Sequence, residues 1–174
     1  MTVSRHPTDR LIRELVDAER PATGAEIAAI AVRIASVPFD PRPVAVSPAL
    51  RGLTYNAQTL GTHAPSLDVH MVKRILVEGQ WAYGTTTAQY LSDLRRAARA
   101  RETRISVYVR RGGYIVGALS PTIAVIPPSH RGARTLPLLL VVYSVDRGMI
   151  ISGYQVSTIE QTGIPQEARW LNKQ

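Results

Sequence analysis

The chain has 174 residues, 45% hydrophobic and 20% charged, the composition of one folded domain, with or without a helical extension, rather than of a disordered chain. It contains no cysteine, which excludes disulfides and thiolate zinc sites, and no apolar run reaches the roughly 18–20 residues that cross a bilayer. Its net charge of +8, from 21 basic residues of which 19 are arginine, favours a polyanionic partner over a neutral one.

Two helices are expected at the start. Thr8 and Asp9 can cap a helix whose apolar positions are Leu11, Ile12, Leu15 and Val16, ended by Pro21. Thr23-Gly24-Ala25-Glu26 reads as a capping box and opens a second helix through about Ser36, stopped by Val37-Pro38. Residues 38–66 are interrupted by Pro38, Pro41, Pro43, Pro48 and Pro65 and read as an irregular connection, with a soft boundary near residue 64. This divides the chain into an N-terminal helical extension and connection, 1–64, and a second unit, 65–174.

From Ser66 the pattern is regular. A helix runs to about Glu78 and ends at Gly79, with Val69, Val72 and Leu76 on its apolar side. Thr86-Thr87-Ala88-Gln89 is another capping box, opening a helix to about Ala100 with Leu91, Leu94 and Ala98 inward and Arg95, Arg96 and Arg99 outward. Four strands come next. Residues 104–110 alternate, Arg111-Gly112-Gly113 signals a tight hairpin, and Tyr114 to Leu119 returns, with Ile123 to Ile126 as its continuation. Leu136 to Ser144 is a near-continuous apolar run and Met149 to Val156 the last strand, after which the tail with Pro165 and Trp170 packs back on the sheet. Short connections make the strands antiparallel neighbours. The expected class is α+β: N-terminal helices, then two helices packed on a four-stranded antiparallel sheet.

The residues with the most chemical content are His70-Met71-Val72-Lys73-Arg74. In a helix His70, Lys73 and Arg74 share a face, placing a titratable ring beside fixed positive charge. Between Lys73 and Arg111 nine cations face only Glu78, Asp93 and Glu102, an excess of six. The histidines at 6, 63, 70 and 130 lack metal-ligand spacing, so neither a metal nor a cofactor is expected, and there is no phosphate-binding glycine motif.

The stretch from Val69 to Tyr154 resembles the barnase/EndoU/colicin/RelE-like superfamily of small RNases and bacterial toxins, in which two helices precede a four-stranded antiparallel sheet. The resemblance rests on His70 followed by Lys73 and Arg74, on Thr85-Thr86-Thr87-Ala88-Gln89-Tyr90-Leu91 at the next helix start, and on the closing strands Leu139-Leu140-Val141-Val142-Tyr143 and Ile150-Ile151-Ser152-Gly153-Tyr154. The sheet carries no second histidine and no glutamate in a catalytic place, which departs from members built on a Glu/His pair. The resemblance implies metal-independent cleavage of RNA by its own 2′-hydroxyl, with His70 as base or acid, Lys73 and Arg74 as phosphate ligands and Tyr154 orienting or donating a proton. Thr86 is a further candidate, although a capping role also accounts for it.

RNA would be held by Arg95, Arg99, Arg110 and Arg111, with Trp81 and Tyr83 stacking on bases or simply packing. The alternative is a non-catalytic protein- or nucleic-acid-binding module on the same fold. Expected partners are RNA and a cognate antitoxin or immunity protein, with no membrane. The expected site of action is the cytoplasm, with secretion as an effector also open; the sequence leaves the oligomeric state undetermined.

Overall fold

The computed structural model describes residues 3–172. Helix α1 (Pro7–Asp17) is capped by His6, whose Nδ1 accepts from the Thr8 amide at 3.1 Å, with Pro7 at the first helical position, where its missing N–H costs nothing. Asp9, expected at this cap, is instead fully buried. Helix α2 (Gly24–Ser36) opens with the anticipated box: the Glu26 amide donates to Thr23 Oγ1 and the Thr23 amide to Glu26 Oε1. Ile12, Leu15, Ile30 and Ile34 are wholly buried and belong to the same hydrophobic core as the main sheet.

The connection after α2 has more structure than its prolines suggest. Phe39 bridges in parallel to Ile150. Strand β1 (Pro43–Ala45) pairs with β4 (His63–Pro65), and between them β2 (Thr54–Tyr55) and β3 (Gln58–Thr59) form a small hairpin. Prolines are tolerated because these are two-stranded ladders, in which each strand has a free edge.

Helix α3 (Ser66–Val72) continues as a π turn, Lys73–Val77, and Gly79 then takes φ 62°. Helix α4 (Thr87–Arg99) begins with its own capping box between Thr86 and Gln89. The main sheet comprises β5 (Arg104–Arg110), β6 (Gly113–Pro121), β7 (Leu138–Ser144), β8 (Met149–Val156) and β9 (Arg169–Trp170), all antiparallel in the order β8-β7-β6-β5-β9. The class is α+β, but the sheet has five strands rather than four. The tail supplies the fifth: Trp170 and Arg169 pair with Ser106 and Val107, and the Leu171 amide donates to the Ile105 carbonyl. Ile123 to Ile126, expected as a strand continuation, instead lie in and just after the short helix α5 (Thr122–Val125), started by Pro121 at its N-cap.

Register divides the sheet into two faces. Ile105, Val107, Val116, Ala118, Leu139 and Val141 point into the main core with α2 and α4. The helix comes so close that a Cβ on Gly153 would collide with the Leu94 methyl carbons, and Tyr90 donates its hydroxyl to the Gly153 carbonyl at 2.7 Å. On the other face Tyr108, Ile115, Leu119, Leu140 and Val142 form a second cluster, part-covered by Ile164, Ala168 and Trp170 of the returning tail.

Candidate nucleic-acid interface

The His70–Arg74 run does not present three side chains to solvent. Lys73 is exposed, His70 is half-buried and Arg74 is 6% exposed. Arg74 is buried where the helix passes into the π turn that begins at Lys73. The His70 ring packs edge-on against Phe39 at 5.3 Å, and its buried Nδ1 has no hydrogen-bond partner. Burial above all, then the charges of Arg74 and Lys73, pushes the imidazole down to about 4, so it is neutral at pH 7.

Arg74 turns toward the edge strand β8. It donates to Glu78 Oε1 at 2.7 Å, and its guanidinium lies 4.9 Å over the Tyr154 ring. Tyr154 sits on the face opposite α4 and donates its hydroxyl to the Thr162 carbonyl at 2.6 Å. Burial pushes this phenol up, while the charges of Arg74 and Arg110 oppose the shift. Arg74, Tyr154 and Arg110 are thus brought into one electrostatic neighbourhood.

The remaining candidates separate. Thr86 Oγ1 accepts the Gln89 amide at 3.1 Å as an N-cap. Trp81 is 1% exposed, its ring edge-on to Tyr90 and its indole N–H donated to Asp93, so no ring face is open for a base. Tyr83 is 83% exposed. Arg95, expected to face outward, donates to the Val37 carbonyl at 3.1 Å and fastens α4 to the end of α2. Arg99 is exposed in a shallow groove of about 370 Å³ with Ala35 and Ser92.

Arg110, within electrostatic reach of Tyr154, and Arg111 belong to the tip of the β5–β6 hairpin. Arg111-Gly112 form a two-residue turn with φ of 51° and 79°, the geometry that matches the strands' twist but favours asparagine or glycine first. Arginine there costs on the order of 1 kcal/mol. The tip borders a cleft of about 680 Å³ on the second sheet face, whose apolar lining is Ile115 and Ile151 and whose rim includes Arg42, Arg110, Arg111 and Arg147. Arg147 makes a two-pronged pair with the buried Asp40 carboxylate (2.8 Å for one prong), and Arg42 also approaches Asp40, at 3.4 Å. Asp146, the acid in the lining, is engaged by Arg13 at 3.1 Å. Among the described residues Arg110 and Arg111 form no ion pair; Arg110 lies 5.9 Å from the Tyr108 ring centre.

Sequence reasoning found the hairpin tip but missed Arg42, Arg147 and Asp40, which come from a loop and a turn 107 residues apart for the Asp40–Arg147 pair. No local pattern marks them. It also passed over His130, whose Nδ1 lies 2.9 Å from the fully buried Asp93, the carboxylate that also accepts from Trp81 and Arg96. This knot docks the 127–134 loop on the 79–84 loop, assisted by the Trp81–Arg131 bridge. Among the described residues no group of three His, Asp or Glu side chains could hold a metal ion, and no helix is long and apolar enough to cross a membrane. No protein-family model, curated protein or solved structure matches the chain.

Proposed function

We propose that the protein binds single-stranded RNA in the cleft at the hairpin-tip end of the sheet. The observation that carries this reading is the unpaired state of Arg110 and Arg111 beside an apolar floor. Arg42 and Arg147, held by Asp40, would frame one side of the cleft, and the unpaired Arg110 and Arg111 would take the phosphates. Ile115 and Ile151 offer bases an apolar surface, which a duplex with its bases stacked inside could not use. The placement of Arg111 in a left-handed turn position supports the reading, since the local geometry favours other residues there.

Fluorescence anisotropy of a labelled RNA 12-mer, titrated at several salt concentrations, tests it. Binding should weaken linearly in log affinity against log salt, and Arg110→Ala with Arg111→Ala should make that slope shallower by about 1.4. Salt-independent or undetectable binding would remove the proposal.

A second reading has one specific observation in its favour: the Arg74 guanidinium on the Tyr154 ring, one turn from a neutral His70. In it the protein is a metal-independent ribonuclease. His70 takes the proton of the RNA 2′-hydroxyl, whose oxygen attacks the adjacent phosphorus. Lys73 and Arg74 bear the added phosphorane charge, and Tyr154 gives its proton to the departing 5′-oxygen. With its pKa lowered to about 4 the imidazole is unprotonated at pH 7, so in this reading it is a base, and a weak one, rather than an acid. Total RNA incubated with the protein in EDTA should be cut, and His70→Ala should abolish cutting with the fold intact. Intact RNA with the native protein would leave binding alone.

A further inference from the structure

A cavity of about 230 Å³ opens where the β2–β3 hairpin meets α3 and the first turn of α4, and it shares no residue with the arginine-rimmed cleft. Tyr55, Leu60, Met71 and Val72 in its lining are all buried apolar or aromatic side chains. The one carboxylate among its lining residues is Asp68.

Asp68 is the third residue of α3, the position from which an acid ordinarily reaches back to the N-cap amide. The N-cap here is Pro65, which has no N–H, so that bond cannot form. Among the described residues nothing else bonds the Asp68 carboxylate. Burial alone acts on it, pushing its pKa up, with no cation close enough to offset the shift. In a chain with 21 basic residues, one carboxylate has been left in a cavity without a cation.

We propose that this cavity receives an arginine side chain from a protein partner. The aliphatic stem would lie along Leu60, Met71 and Val72, and the planar guanidinium would meet both oxygens of Asp68. Tyr83, 83% exposed and packed edge-on against Tyr55 at 5.8 Å, supplies an aromatic surface beside the cavity, of the kind that anchors protein interfaces. Lysine fits less well because its ammonium is compact and strongly hydrated and cannot pair with the two oxygens in parallel. RNA is disfavoured, since an uncompensated carboxylate repels phosphate. The proposal stands independently of the RNA-binding reading.

The test is a titration of the ¹⁵N-labelled protein with Nα-acetyl-arginine amide, followed by amide chemical shifts. Saturable shifts at Asn56, Gln58, Asp68 and Thr87 are expected, with a dissociation constant in the millimolar range. Asp68→Asn, whose own spectrum reports its folding, should weaken binding about tenfold or more. Tyr83→Ala, on an exposed ring that the core does not need, should weaken it about threefold. Nα-acetyl-lysine amide should bind several-fold more weakly, and a 12-mer RNA should leave these amides unshifted. Absence of saturable shifts, equal binding by Asp68→Asn, or movement of the same amides by RNA would each overturn the proposal.

Discussion

Three arginines on the helix side of the molecule, Arg33, Arg95 and Arg96, and the two at the β5–β6 tip carry the same charge but do different work. On the helix side Arg33 donates to Tyr143 Oη at 3.1 Å and to the buried Asp9 at 2.9 Å, Arg95 closes on the Val37 carbonyl, and Arg96 bonds Asp93 and the Val125 carbonyl. Each satisfies an acceptor that packing has taken from water. At the tip, Arg110 and Arg111 meet no acid and border an open cleft. A cation next to a desolvated acceptor stabilises the fold, whereas a cation without one adds only repulsion until an anion arrives. Net charge therefore overstates how much of this protein is available to a polyanion.

The sharpest way to break this contrast is Arg33→Met. It removes the cation paired with the buried Asp9 carboxylate, which keeps only the Ser4 and Tyr143 hydroxyls, and should cost about 3–5 kcal/mol in urea unfolding, without changing RNA affinity per folded molecule. A loss below about 1 kcal/mol would show that the helix-side arginines are not structural.

His70 offers a second probe of the buried side. Its folded-state pKa of about 4 lies below its ordinary 6.5, so below pH 6.5 the unfolded chain binds the proton more readily. Stability from this group is complete above pH 6.5 and is lost as pH falls toward 4, by about 3 kcal/mol in all. His70→Phe, which keeps a ring against Phe39 and removes an unpartnered buried nitrogen, should flatten the decline in unfolding free energy between pH 7 and 4.

The tip should behave in the opposite way. Arg110→Ala with Arg111→Ala is expected to reduce RNA affinity about tenfold at low salt while moving stability by less than about 0.5 kcal/mol. Arg111→Asn refines this further: it should stabilise the fold by about 0.5–1 kcal/mol, by suiting the left-handed turn, and still weaken RNA binding. On the buried side, Arg95→Met should cost about 1 kcal/mol through the lost bond to Val37 and leave the salt dependence of RNA binding as it was.

Much of the fold was legible because it is written in local terms. The boxes at Thr23 and Thr86, the Arg111-Gly112 turn, and the alternation of β5 each depend on residues within a few positions of one another. Three features were not legible for the same reason in reverse. The fifth strand has only two residues and exists because β5 has a free edge to receive it. The π turn after Val72 shows only in the folded backbone, as does the stacking of its Arg74 on Tyr154. His6 gave no sign of capping α1, since imidazole is not among the usual N-cap groups.

The site divides along the same line. The sequence by itself determined that the chain is an α+β protein with surplus arginine, a histidine beside cations, and a tight basic hairpin tip. Only the tertiary structure decided which charges are consumed and which are left over, because an arginine's role depends on the acceptor it meets, and those acceptors come from distant parts of the chain: Val37 for Arg95, Asp9 for Arg33, Asp40 for Arg147. Among the charges left without an ion pair in the described residues, Arg110 and Arg111 border a cleft and Asp68 lines a cavity, and these are where partners are expected to bind.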